Sequence, residues 1–151
     1  MANFSATALQ TVATNQNVLL TEANVYSCRA KQKIIYNEGS GLLTLRGNNG
    51  PCAPNAPHVP NAVYRVTFGA NIAVPTGGTA GAISLALSQN GETLPYTNAI
   101  VTPAAVAEFF NVSRTVEVTV PCGCCAQIAM KNTSTQDISV QNANITVECA
   151  C

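Results

Sequence analysis

The sequence predicts an all-β protein: a jelly-roll sandwich of about eight to ten antiparallel strands, in a single domain over residues 1–151. Apolar and polar residues alternate along several segments, as in strands with one buried face. These segments recur every ~8–12 residues with no long helical pattern between them, which is typical of sandwiches and jelly rolls. No internal repeat is evident, which argues against a propeller or a solenoid.

The clearest alternation lies at residues 64–72, where the odd-numbered positions are polar or small and the even-numbered ones are apolar or aromatic. The residues predicted to face the core are Tyr64, Val66, Phe68, Ala70 and Ile72. The strand at 83–88 ends in Asn90-Gly91, a pair suited to a type I′ turn, so a hairpin into 92–96 is expected. Further strands are predicted at 115–120, 128–130 and 143–148.

The first half gives weaker signals, with shorter strands predicted at 5–12, 17–21, 33–36 and 42–46. Residues 102–110 begin with Thr102 and Pro103 and contain helix-forming alanines, which permits a short helix. A loop leading into a strand is the preferred interpretation. The segment 47–61 holds four prolines and is expected to form one long irregular loop.

Charge is scarce, and this bears on partners. Only 9% of the residues are charged, against about 25% in an average soluble domain, and seven Lys and Arg balance seven Asp and Glu. With no net charge and no basic cluster, nucleic acid is not expected as a partner. A surface of amides and hydroxyls suits a chain covered by copies of itself, although a plain polar surface would look similar.

The segment 1–5 has neither a basic start nor an apolar run of signal-peptide length, and no stretch reaches the ~18 apolar residues of a membrane span. We therefore expect synthesis in the cytoplasm and no membrane partner. The expected final location is a virion or a cell or spore surface, reached by lysis or by another route.

Enzymatic readings lack the necessary residues. His58 is the single histidine and Asp137 the single aspartate, so no Ser-His-Asp constellation can form within one chain. A pair of Cys52 and His58 is conceivable, but the intervening prolines indicate a rigid exposed loop. We expect no enzyme, no catalytic residue and no cofactor.

Seven cysteines are the most unusual feature: Cys28, Cys52, Cys122, Cys124, Cys125, Cys149 and Cys151. If 122–125 form the turn before the strand at 128–131 and the chain reverses near 133–137, the last five share one end of the sandwich. Disulfides within or between subunits, a zinc site and buried free thiols all remain open. Cys124 and Cys125 are not expected to bond to each other, because the closed ring would be strained.

An ordered set of motifs carries a family resemblance. The motifs are YRVTF at 64–68, GGTAGAISLAL at 77–87, NG at 90–91, VEVTVP at 116–121, KNTS at 131–134 and NITV at 144–147. Their order resembles the trimeric jelly rolls of the complement-globular-head and tumour-necrosis-factor-like superfamily. It is also similar to spore-surface collagen-like protein heads and to small phage and prophage structural proteins of Gram-positive bacteria.

The resemblance implies a homotrimer packed about a threefold axis through an apolar sheet edge and face. Residues 1–151 depart from the family in containing no collagen-like Gly-X-Y repeat and in their cysteine-rich turn. We expect a non-enzymatic trimeric virion module, either a head fibre, a decoration protein or a tail-associated protein. The alternatives are a disulfide-linked subunit of a spore-surface layer or appendage filament, and a carbohydrate- or receptor-binding head using the loop 47–61.

Overall fold

The computed structural model describes residues 1–25, 33–48 and 61–150. These residues form twelve strands and one short 3-10 helix, Pro95–Thr97. The strands of the first half are β1 Ala2–Ala6, β2 Gln10–Val12, β3 Glu22–Val25, β4 Ile34–Asn37, β5 Leu42–Arg46 and β6 Ala62–Ala73. Those of the second half are β7 Ile83–Gln89, β8 Glu92–Thr93, β9 Ala99–Val101, β10 Phe110–Val120, β11 Cys125–Asn132 and β12 Ile138–Cys149.

The strands form two antiparallel sheets. The first sheet has the order β10-β6-β12-β1-β3, with β2 pairing with the start of β12. The second has the order β4-β5-β11-β7-β8, with β9 pairing with the start of β7. Because β1 and β2 share one edge of β12, and β8 and β9 share one edge of β7, each sheet has five strand positions. The predicted jelly-roll sandwich is therefore confirmed.

The strand predicted most clearly lies inside the first sheet, where β6 pairs with β10 on one side and β12 on the other. All five side chains predicted to face inward from β6 are fully buried. They pack in one core cluster with large apolar side chains of the second sheet, namely Leu43, Leu45, Leu85, Leu87, Ile128 and Met130. Since each such burial contributes about 1.5–3 kcal/mol, this core is the main source of stability.

The predicted hairpin is present but its second strand is short. Asn90 and Gly91 have φ values of 52° and 88°, the positive pair that a type I′ turn requires. The strand β8 then ends at Thr93, because Pro95 has no N–H to donate to a ladder and begins the 3-10 helix.

Two predicted strands of the first half need correction. The segment 5–12 is two strands, β1 and β2, separated at residues 7–9. Residues 17–21 are not a strand, apart from one isolated bridge between Asn17 and Lys131. Their backbone is held partly by single backbone bonds, from the Val18 N–H to the Met130 carbonyl and from the Thr21 N–H to the Ser5 carbonyl. The side chains of Gln10 and Tyr36 bond the backbone of Leu19 and Leu20.

Two short edge strands, β3 and β9, were not predicted. Three of the four residues of β3 are exposed, so it carries no alternating pattern. The ambiguous segment 102–110 is a loop that leads into β10 at Phe110, as preferred. The predicted loop 47–61 lies outside the described residues except at its ends.

Candidate functional site

A tight turn between β10 and β11 presents three cysteines. The Cys124 N–H donates to the Pro121 carbonyl at 3.1 Å, and Gly123 takes a φ of 71°. A positive φ at the third residue of such a turn defines type II, where glycine is strongly favoured. The sequence thereby fixes Cys122 and Cys124 on either side of one glycine.

The segment after β5 braces this turn. The Gly47 N–H donates to the Cys124 carbonyl at 2.8 Å, and the Gly123 N–H donates to the Asn48 carbonyl at 3.1 Å. A Cβ on residue 47 would overlap the Pro121 carbonyl oxygen. Close packing of the two backbones therefore requires glycine at position 47 and leaves the turn little freedom to move.

The ends of four strands meet at the same place. Cys149 of β12 lies opposite Tyr64 of β6, and Cys125 of β11 lies opposite Arg46 of β5. The Tyr64 hydroxyl donates to the Arg46 carbonyl and so joins the two sheets. Burial, and secondly the nearby charge of an ionised Cys125, raise the pKa of Tyr64 above its usual range.

We call this end of the sandwich the cysteine pole, comprising Cys122, Cys124, Cys125 and Cys149. Cys122 and Cys149 are disulfide-bonded, whereas Cys124 and Cys125 are exposed free thiols. Cys151, Cys28, Cys52 and His58 lie outside the described residues. That the cysteines link subunits stays a prediction.

Residues 1–25, 33–48 and 61–150 contain no group of three or more His, Cys, Asp or Glu placed to hold a metal ion. No helix among them is long and apolar enough to cross a membrane.

The outer face of the first sheet is mostly polar, and its charged residues are Glu22, Arg65, Glu117 and Glu148. Thr67 and Thr115 share a hydroxyl hydrogen bond of 2.9 Å, and the Asn111 amide donates to Asn71 at 2.9 Å. Arg65 pairs with Glu117 at 3.7 Å, with both side chains more than half exposed, which contributes at most about 1 kcal/mol. The apolar residues of this sheet thus face the sandwich core, and the other face offers small hydroxyl and amide groups.

Exposed apolar side chains concentrate at one edge of the sandwich. Four of the eight large apolar side chains that are exposed among the described residues lie within 96–109, and we call them the edge patch. The members and their exposed fractions are Tyr96 65%, Ile100 61%, Val106 39% and Phe109 41%. This segment bridges the edge strands of both sheets, since β9 pairs with β7 and contacts β10.

Hydrogen bonds hold the edge patch in place. Arg114 of β10 donates to the Asn98 carbonyl at 3.4 Å, and the Ala107 N–H donates to the Val74 carbonyl at 2.8 Å. The Thr97 hydroxyl is buried and accepts from the Leu87 N–H at 2.9 Å. The patch is therefore a fixed surface. Sequence reasoning missed it, because no alternation distinguishes its exposed apolar residues from core residues.

The edge patch extends from the middle of the sandwich to the end opposite the cysteine pole. At the pole, Val120 is opposite Ala62, the first residue of β6, and at the other end Phe110 is opposite Ile72. At ~3.3 Å per residue, the twelve residues of β6 separate the pole from the Phe109 end of the patch by roughly 35 Å. The part of the patch near Asn98 is closer, because Arg114, which bonds Asn98, lies opposite Phe68 about halfway along β6. Each surface is thus free to contact a different partner.

Solved structures with this fold confirm the predicted architecture. The globular domain of zebrafish complement 1qA has a TM-score of 0.61 at 11% identity, covering 99% of this chain and 96% of that chain. Eiger TNF from S. frugiperda has a TM-score of 0.69 at 11% identity, covering 100% of this chain and 92% of that chain. Murine APRIL at pH 5.0 has a TM-score of 0.55 at 9% identity, covering 97% of this chain and 98% of that chain.

No protein-family model matches the sequence, and no curated protein matches it. The three structures establish that the chain has the jelly-roll fold of complement C1q and TNF-like domains. The predicted nearness to phage and spore-surface proteins stays a prediction.

Proposed function

We propose that this chain is a non-enzymatic structural module that assembles as a homotrimer on the surface of a phage virion, as a head fibre, a decoration protein or a tail-associated protein. The observation that carries the assembly is the edge patch, a fixed set of exposed apolar side chains on a chain with few charges. The resemblance of the motif order to trimeric jelly rolls supports three copies.

A threefold ring needs two different surfaces on each copy, because its contacts run head to tail. The edge patch is one such surface. The polar outer face of the first sheet suits the other, since its small Thr, Ser and Gly residues let a neighbour approach closely.

The virion role rests on the sequence. The motif order is similar to that of small phage structural proteins of Gram-positive bacteria, and this similarity supports the proposed role. The non-enzymatic role is likewise supported by the single histidine and single aspartate of the chain.

A second candidate is a disulfide-linked subunit of a spore-surface layer or appendage. The exposed thiols of Cys124 and Cys125 favour it, because they are accessible to another molecule. The edge patch does not reach the cysteine pole, so links through the pole are compatible with a trimer formed by the patch.

The test of the edge patch is the solution mass of matched variants, measured by light scattering on a sizing column. Phe109→Glu and Ile100→Glu place a charge in the proposed interface, and we expect both to be folded monomers. Ile35→Glu is the control, since Ile35 has the same 41% exposure as Phe109 but lies on β4 at the far edge. It should stay trimeric. Folded trimers of both edge-patch variants would refute the proposed interface.

A further inference from the structure

The cysteine pole holds both reactants of a thiol–disulfide exchange. Cys124 is a free thiol, and Cys122, two residues earlier in the same turn, is disulfide-bonded. Cys125, next to Cys124, is also free and exposed. Cys149, at the same end of the sandwich, is a second disulfide-bonded cysteine. Each copy of the chain therefore presents a nucleophile and its target together.

Exchange needs no oxidant. A thiolate attacks one sulfur of a disulfide in line with the S–S bond, a new S–S bond forms, and the second sulfur leaves as a thiolate. The number of thiols and the number of disulfides are both unchanged. The direct oxidation of two thiols, in contrast, consumes both and needs an electron acceptor.

We infer that the cysteine pole joins copies of this chain by thiol–disulfide exchange. The thiolate of Cys124 or Cys125 in one copy attacks the disulfide that contains Cys122 in a second copy. A disulfide forms between the two chains, and the sulfur released from the second copy takes a proton from water as a new thiol. The second copy also carries its own Cys124 and Cys125, so the same reaction can join it to a third copy.

Three features of the pole suit another copy as the partner. The turn is braced by Gly47 and Asn48, so its sulfurs are presented in a fixed arrangement. The charged side chains near the pole are of both signs, so the cysteine poles of two copies can approach each other without strong repulsion. These side chains are Lys33, Arg46, Arg65, Glu117 and Glu148. The pole is also at the end that the edge patch does not reach, so this inference extends the proposed assembly without depending on it.

The experiment uses the full chain, isolated with its disulfides intact and without reductant, as a fraction free of covalent multimers. It is incubated at pH 8 under argon with a chelator, which excludes oxygen and metal-catalysed oxidation. Non-reducing electrophoresis follows covalent multimers, and a thiol titration in denaturant counts thiols per chain. We expect a ladder of multimers that collapses on reduction, with no change in the number of thiols per chain.

The double variant Cys124→Ser with Cys125→Ser should form no ladder, because it lacks both attacking thiols. Wild-type protein alkylated while folded should behave the same way, which removes any dependence on the folding of the variant. No ladder under argon, a ladder accompanied by loss of thiols, or a ladder from the double variant would each overturn the inference. The non-covalent mass of the double variant is measured in parallel, so failure of the exchange and failure of the trimer give separate results.

Discussion

The Tyr36 hydroxyl makes two hydrogen bonds to the backbone of one residue, Leu20. It donates to the Leu20 carbonyl at 2.6 Å and accepts from the Leu20 N–H at 2.8 Å. Leu20 is buried, and no ladder strand includes it. The phenol thus replaces a neighbouring strand, while its ring packs against Phe4 at 5.1 Å between centroids.

Replacing Tyr36 by Phe keeps the ring and removes both bonds. We expect a loss of about 1–3 kcal/mol in the free energy of unfolding, because two backbone groups of a buried residue lose their partner. Urea unfolding at matched protein concentration measures it. Thr7→Val, which removes an exposed hydroxyl outside the edge patch, is the control and should change stability by less than about 0.5 kcal/mol. Equal stabilities for the two variants would show that the Tyr36 hydroxyl contributes nothing.

Stability should fall at alkaline pH. Burial, and secondly the charge of Glu38, raise the pKa of Tyr36 above 10.0, against the opposing effect of the Leu20 backbone hydrogen bond. Burial likewise raises the pKa of Tyr64. Above pH about 10 the unfolded chain loses these protons before the folded chain does, so rising pH favours unfolding. The urea midpoint, followed from pH 8 to pH 11.5, should drop less steeply in Tyr36→Phe than in the wild type. Parallel curves for the two proteins would show that the ionisation of Tyr36 does not contribute to the loss of stability.

Gly47→Ala should destabilise the turn at residues 121–124, which Gly47 braces. The new Cβ would overlap the Pro121 carbonyl oxygen and crowd the Cys124 carbonyl, and a forced backbone shift typically costs about 1–3 kcal/mol. Gly81→Ala is the control, because a Cβ there meets only ordinary contact with Thr79. Thermal and urea unfolding of both variants compare the two sites, and a Gly47→Ala protein as stable as Gly81→Ala would argue against a braced turn.

Asn132 should be costly to replace, since it organises the end opposite the cysteine pole. Its side chain is fully buried, donates to the Val12 and Gln136 carbonyls at 2.9 and 3.0 Å, and accepts from the Ser134 N–H at 2.8 Å. Asn132→Leu keeps the approximate side-chain volume but leaves three backbone groups without their hydrogen-bond partner. We therefore expect the free energy of unfolding to fall by about 3 kcal/mol or more. Asn111→Leu removes an exposed amide pair and should cost far less.

The sequence predicted the long strands because each has one buried face. β6 alternates inward apolar and outward polar residues, and β10 and β12, which flank it, do so over most of their length. Alternation gives no signal in the two short strands that were missed, because β3 is mostly exposed and β9 has only three residues. At 17–21 separate hydrogen bonds replace the predicted strand, including two between the distant Tyr36 hydroxyl and Leu20, and no local pattern encodes that contact.

The candidate surfaces were predictable to different degrees. Chain reversal between β11 and β12 was enough to expect Cys125 and Cys149 at one end, and the structure places them there. The edge patch could not be predicted, because Ile100 and Phe109 are of the same residue types as the core. Only the packing of the two sheets determines which apolar side chains remain outside.

The solution mass of the purified wild-type chain tests the central proposal most directly. Light scattering on a sizing column, with and without reductant, should give a non-covalent species of three times the 15.6 kDa chain mass in reductant. Covalent multiples of that species should appear only without reductant. A monomer in both conditions would contradict the trimeric assembly.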